Sequence, residues 1–378
     1  MNEPADTGRS RRTFLGTGLA ATVGLSIAEA TAADNDTDSP TDGPSLTLAG
    51  YPYERVRALQ DGRVGIAGHK VVFQESKIGQ SNEHVFNGPR THDVSEVGLI
   101  PYLLAFCNEG FRDYRLLPIF VLKVFRHKSI FIHTDRGIRG PKDLRGRKVA
   151  TVGYSSSGLT WVRGILEDEY GVTPADIHWV QTSKDSAAAQ TGGASRWEKV
   201  LPDNLSLTKA PDGISESDLL LSGEVDAIFH PAEPQAFVDR HPKVRRLFPD
   251  CRSVEQAYFK KTGIFPIMHA VAIRRDLVER EPSLAKTVFD AYSRAKQLDY
   301  QESKRIRWAY SSLPWFGQEF DETVELMGDN FYSYGIEDNR DAIRAACRYL
   351  YRQGLAKRQM TVEELFVKSS LDLSDNAG

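Results

Sequence analysis

Cysteine is scarce. Cys107, Cys251 and Cys347 are the only three in 378 residues, odd in number and far apart. They form neither a CxxC pair nor a Cys/His metal spacing. Each lies in an apolar or helical context, so three buried free thiols are expected. An excess of one charge is also lacking: 48 Lys and Arg face 51 Asp and Glu, for a net charge of −3. With the signs interspersed and no basic stripe, a nucleic-acid partner is not expected. Beyond the N-terminal region no apolar run is long enough to span a bilayer, so the mature chain is expected to stay out of the membrane. There is no Gly-rich phosphate loop, no Ser-His-Asp spacing that stands out and no metal cluster. His84 and His92 flank a Gly-Pro turn and are expected at the surface.

What is present begins with Ser10-Arg11-Arg12-Thr13-Phe14-Leu15. A weakly hydrophobic stretch follows from Gly16 to Ala28, closed by small residues at Ala30 to Ala33. That is the order of an export signal, and the paired arginines point to the twin-arginine route, which carries folded cargo. Residues 1–33 are therefore expected to be a signal and the product periplasmic or extracellular. Residues 34–44 are polar, cannot bury apolar surface and read as a disordered tether.

The rest alternates. Strand-like runs at Leu46–Gly50, Lys70–Glu75 and Asp93–Leu99, with helical stretches between, predict a parallel sheet. Leu116–Val121 and Ser129–His133 read as strands. A second αβ unit then spans residues 132–262, with a serine-rich loop at Ser155-Ser156-Ser157 leading into a helix to Tyr170. Gly263–Arg274 returns as an apolar strand. Helices are expected over Ser283–Trp308 and Arg340–Gln353, and Thr361 with Glu364 makes a capping box for a last helical turn. A chain that leaves one unit, builds another and returns gives two lobes, 45–131 plus 263–378 and 132–262, around a hinged cleft. Ligands in such sheets sit at the carboxyl ends of strands, near helix N-termini.

Asp135 to Gly171 resembles the second lobe of type II periplasmic binding proteins, so the fold class is two-lobed α/β with two crossover strands. Longer stretches resemble the 4,5-dihydroxyphthalate decarboxylase family. These include Arg55-Val56-Arg57-Ala58-Leu59, Phe125-Arg126-His127-Lys128-Ser129-Ile130 and Trp161-Val162-Arg163-Gly164-Ile165-Leu166. Val244 to Asp250 and Thr262 to His269 extend the likeness across nearly all of residues 46–366. The resemblance implies loss of one carboxylate from a dihydroxylated aromatic dicarboxylate, without an organic cofactor. The export signal and the serine loop suit a second reading: an exported solute-binding protein that hands a small carboxylate to an ABC permease.

Decarboxylation of a phenolic carboxylate needs a cation for the carboxylate that stays, a base for the ring hydroxyl and an acid for the ring carbon. Arg126 offers a planar fork and His127 a proton near neutrality. His269, on the returning strand, is expected to face the same ligand, with Glu96 as a carboxyl partner and Phe265 as a further binding candidate. Ser95, Ser155, Ser156, Ser157 and Thr160 are expected near the ligand, the serine loop at a helix start that favours anions. Arg163 and His230 are further binding candidates. Tyr51, Tyr53 and Arg55 follow the first strand, where an aromatic can stack on a ring.

Overall fold

The structure is a computed structural model that describes residues 43–191, 195–203 and 205–376. The export signal expected over residues 1–33, and the tether as far as residue 42, lie outside the described residues. Strands are numbered in chain order: β1 Ser45–Gly50, β2 Lys70–Glu75, β3 Val94–Gly98, β4 Tyr114–Lys123, β5 Ile130–His133 and β6 Lys148–Thr151. They continue as β7 His178–Gln181, β8 Leu207–Lys209, β9 Ala227–Phe229, β10 Val244–Arg246 and β11 Ile267–Arg274.

Two sheets form, in the orders β2-β1-β3-β11-β4 and β10-β5-β9-β6-β7-β8. The chain leaves the first after Lys123, enters the second at Ile130, slightly ahead of the division expected at residue 132, and returns at Ile267. These two crossings make the two-lobed fold. The parallel pattern needs correction in the first sheet. β1 runs parallel to β2 and β3, but β11 is antiparallel to both β3 and β4. It comes back from the other sheet and so inserts in the reverse direction. β11 also starts later than the apolar run suggests. Pro266 has no N–H for a ladder, and its carbonyl instead accepts from Val124 N at 3.0 Å across the two crossovers.

The helix Leu284–Arg305 follows its apolar spacing: Leu284, Val288, Ala291, Tyr292 and Ala295 are all buried against one face of the first sheet. Leu284 and Val288 each contribute about 1.5–3 kcal/mol when fully buried. The other core is continuous from the first sheet through the helix Ser157–Tyr170 to the second. The C-terminal helix Arg340–Arg352 lies along Ser157–Tyr170. A Cβ on Gly164 would fall 2.3 Å from the Tyr349 ring, and Tyr349 Oη donates to Asp168 at 2.6 Å. Trp161 Nε1 donates to Ile267 O at 3.0 Å, so this helix is fastened to the returning strand as well.

Three expectations are corrected. The Thr361–Glu364 box forms its bond, at 2.9 Å, but closes a turn rather than a helix. His92 is buried, its ring 4.7 Å from that of His84, because Tyr114 Oη holds its carbonyl inside. The thiols are free, yet only Cys347 is fully buried. Among the described residues no helix is long and apolar enough to cross a membrane.

Candidate active site

A cavity of about 210 Å³ opens between the sheets, at the carboxyl ends of β1 and β6. Its first wall carries Tyr51, Gly98 and His269; its floor Arg126 and Met268; its far wall the loop from Val152 to Leu159 with Asp185 and Glu198.

Glu96 and His269 meet because β3 and β11 pair. Glu96 lies opposite Val271, which puts His269 diagonally across on the same face, and a register irregularity beside His269 in the β4 pairing re-aims the strand there. His269 Nδ1 and Glu96 Oε1 are 2.5 Å apart. Glu96 also accepts from Tyr53 Oη at 3.0 Å and Tyr51 N at 2.9 Å. Burial, and then the Glu96 charge, raise the Tyr53 pKa, so it stays a phenol and a donor. Gly50 makes room: a Cβ there would sit 2.8 Å from Glu96 Oε2. With Nδ1 committed to the carboxylate, Nε2 is the nitrogen left to a ligand. Tyr51 stacks on the imidazole, 6.1 Å between centroids.

Arg126 forms the anion side. Its guanidinium is buried, donates to Pro231 O at 2.8 Å and touches Met268 Sδ at 3.0 Å. Burial pulls its pKa down to about 10, which leaves it charged at neutral pH. Among the described residues no carboxylate is within ion-pair distance. Glu255 acts on it only at longer range, so the buried cation lacks a contacting counter-ion, which is costly, and a bound anion relieves that. Beside it the helix Ser157–Tyr170 begins, capped by Ser156 Oγ, which accepts from Leu159 N at 3.3 Å. The first N–H groups, of Ser157 and Gly158, precede any intrahelical bond. A Cβ on Gly158 would lie 3.0 Å from Arg126 Cζ, so glycine lets guanidinium and helix start share one spot.

Of the residues expected from sequence, Tyr51, Arg126, Ser156, Ser157 and His269 line the cavity, with Glu96 and Tyr53 directly behind them. The others do not line it. His127 lies in an apolar pocket against Phe248 and Tyr258, and burial drives its pKa down to about 4. Ser95 donates to Glu96 O. Ser155 Oγ holds the neighbouring segment through Trp197 O at 2.7 Å. Arg163 is outside the cavity lining and donates to Gln353 and Tyr154 O, and Thr160 accepts from it. Arg55 grips Val121 O and is sandwiched by Tyr53 and Tyr332. Phe265 stacks on Phe125.

His230 is buried behind the far wall. Its Nδ1 accepts from Ala232 N at 3.0 Å, so its proton sits on Nε2 and goes to Asp185 Oδ1 at 2.9 Å. Asp185, Glu216 and His230 cluster closely. A metal would need the Nε2 lone pair, whereas the Ala232 N–H fixes the tautomer that lacks it, and the donor set does not fit a metal as it stands. Sequence reasoning missed Glu198, Asp185 and Met268. Glu198 ends a Ser-x-x-Glu pattern that signals only a helix cap, and nothing local marks the other two.

The two sheets and the cleft between them define a two-lobed α/β protein of the periplasmic-binding-protein fold. In structure the chain is similar to the periplasmic aliphatic sulphonate binding protein SsuA from Escherichia coli, with a TM-score of 0.51, 15% identity and coverage of 88% of this chain and 99% of that one. It is also similar to a DSZB mutant in complex with biphenyl-2-sulfinic acid, at a TM-score of 0.50 and 16% identity over 87% of this chain and 97% of that one. The "NMT1/THI5 like" family model matches residues 119–199, which hold the first crossover, the serine loop and Glu198. In sequence the chain is 32% identical to 4,5-dihydroxyphthalate decarboxylase of Comamonas testosteroni over 332 residues, 86% of this chain and 97% of the relative. A 4,5-dihydroxyphthalate decarboxylase of Pseudomonas putida is also 32% identical, over 57% of this chain and 81% of its own length. The chain belongs to the 4,5-dihydroxyphthalate decarboxylase family.

Proposed function

We propose that this chain binds a hydroxylated aromatic dicarboxylate, of the 4,5-dihydroxyphthalate type, in the cleft and releases one carboxylate as CO2. The observation that carries the reading is the pairing of opposites across one cavity. A buried Arg126 without a carboxylate partner meets a helix start on one side, and His269 backed by Glu96 stands on the other.

The carboxylate that stays lies on Arg126 and the Ser157 and Gly158 N–H groups, a fixed cation and a helix dipole acting together. Tyr51 forms a wall against the ring. The ring hydroxyl para to the departing carboxylate gives its proton to His269 Nε2, and Glu96 supports the imidazolium that forms. The oxyanion pushes electron density to the carbon that bears the departing group. Once that carbon is protonated the C–C bond breaks, its electron pair returns to the ring and CO2 leaves. His269 then gives its proton back to the phenolate. Residues 132–262 act as the closing lobe on the remainder, and the cleft excludes water from the intermediate.

The Arg11-Arg12 pair supports an exported protein, as does the likeness to a periplasmic SsuA. The same likeness and the anion-binding helix start favour a second reading, a solute receptor for an ABC permease. Purified mature chain is incubated with 4,5-dihydroxyphthalate, and CO2 and bound ligand are measured. Steady CO2 release is the expected result. Saturable binding with no CO2 would assign the protein to the receptor class.

A further inference from the structure

We infer that Glu198 is the acid that protonates the ring carbon, carried to the His269–Glu96 pair by the opposite wall of the cleft. The inference rests on the decarboxylase reading above and supplies the proton donor that reading leaves open.

Glu198 lines the cavity with Tyr51 and His269; its charge helps raise the Tyr51 pKa, and His269 in turn pulls on the Glu198 carboxyl. Its place is tightly fixed. Its carboxyl accepts from Ser195 N at 2.8 Å, and its carbonyl accepts from Tyr154 N at 2.9 Å and Ser155 N at 3.0 Å. Ser155 Oγ completes the brace, donating to Trp197 O at 2.7 Å and accepting from Val200 N at 2.9 Å. The serine that does not touch the cavity thus positions the carboxyl that does.

The two glutamates near His269 differ in setting. Glu96 takes hydrogen bonds from Tyr53, Tyr51 and His269. Glu198 is half-buried on the cavity wall and takes a backbone donor from Ser195, and burial raises its pKa against the pull of Ser195 and His269. Two titratable groups whose surroundings differ in this way divide the acid and base work. In the step, the Glu198 O–H bond breaks and a C–H bond forms at the ring carbon. The C–CO2 bond then breaks, its electron pair restores the ring, and Glu198 regains a proton from water. The sum is one aromatic carboxylate plus one proton giving one arene and CO2. Because Glu198 rides on the second lobe and His269 on the first, acid and base face one another across the cleft.

The test compares wild type with Glu198→Gln on 4,5-dihydroxyphthalate, measuring Kd by calorimetry and kcat across neutral pH. The amide keeps an oxygen for Ser195 N, so the loop holds, and an unchanged melting temperature checks it. Expected are a kcat lower by about a hundredfold or more and a Kd within a few-fold. The wild-type kcat should fall on the alkaline side as Glu198 loses its proton, and that fall should be missing from the variant's residual rate. An active wild type beside a fully active Glu198→Gln overturns the role of Glu198 and leaves the decarboxylase reading in place. A variant that loses affinity but keeps kcat makes Glu198 a binding residue and also overturns it. A wild type that binds without turnover overturns both.

Discussion

His127 sits on the first crossover between the lobes, and His269 near the start of β11, just past the second. His127 follows Arg126 on the first and packs edge-on against Phe248 and Tyr258, 5.5 and 5.2 Å between centroids. His269 has its Nδ1 2.5 Å from a carboxylate and its ring on the cavity wall. The first ring has no charged partner, and its two nitrogens are buried without a hydrogen bond. Desolvation then penalises the imidazolium and holds it neutral. The second has a counter-charge and a route to ligand. One residue type at two similar places becomes core in one case and a carboxylate-paired ring on the cavity wall in the other. The neighbours across the sheet decide which.

Breaking the working side should cost most. Glu96→Gln removes the charge behind His269, and kcat should fall by about a hundredfold or more with Kd little changed. Steady-state kinetics beside calorimetry reads this, and an unchanged kcat would detach Glu96 from the chemistry.

The silent side is sharpened by pH. The His127 pKa is about 4 in the fold, against an ordinary value of 6.5. Between those values the unfolded chain binds more protons, so stability is lost as pH falls from 6.5 toward 4, by about 3 kcal/mol in full. His127→Gln should flatten that part of the profile in denaturant melts at successive pH values. Equal slopes for both proteins would mean that His127 is not held neutral.

Arg126 sits next to His127 in sequence yet lines the cavity with His269. Arg126→Ala should weaken binding by about 1.5–3 kcal/mol, the loss of a charged hydrogen bond, with kcat at saturation less affected. Calorimetry of the aromatic dicarboxylate checks it. Gly158→Ala should act in the same direction but more weakly, by about 1 kcal/mol, because its new methyl would press on the Arg126 guanidinium.

Much of this was legible from residue patterns. The two crossings follow from the strand order, and the long helix over Leu284–Arg305 from its apolar spacing. Arg126, Ser156, Ser157 and Tyr51 were found by placing cations, helix starts and aromatics at strand ends. The direction of β11 was not legible, since strand direction depends on where the chain re-enters a sheet. The split between His127 and His269 was hidden for the same reason. Phe248 and Tyr258 lie far along the chain from His127, and Glu96 just as far from His269, so no local signal separates the two rings. Glu198 and Asp185 come from loops whose sequence speaks only of caps and turns. Arg163 and Ser155 were misplaced because a polar residue near a helix start serves equally well as a brace. Gln353 and Trp197, which claim them, appear only once the chain has folded.

The most direct measurement is CO2 release from 4,5-dihydroxyphthalate by His127→Gln and His269→Gln in one assay with wild type. The account predicts near wild-type turnover for His127→Gln, and a loss of about a hundredfold or more for His269→Gln with binding retained. Full turnover by His269→Gln, or a loss confined to His127→Gln, would contradict it.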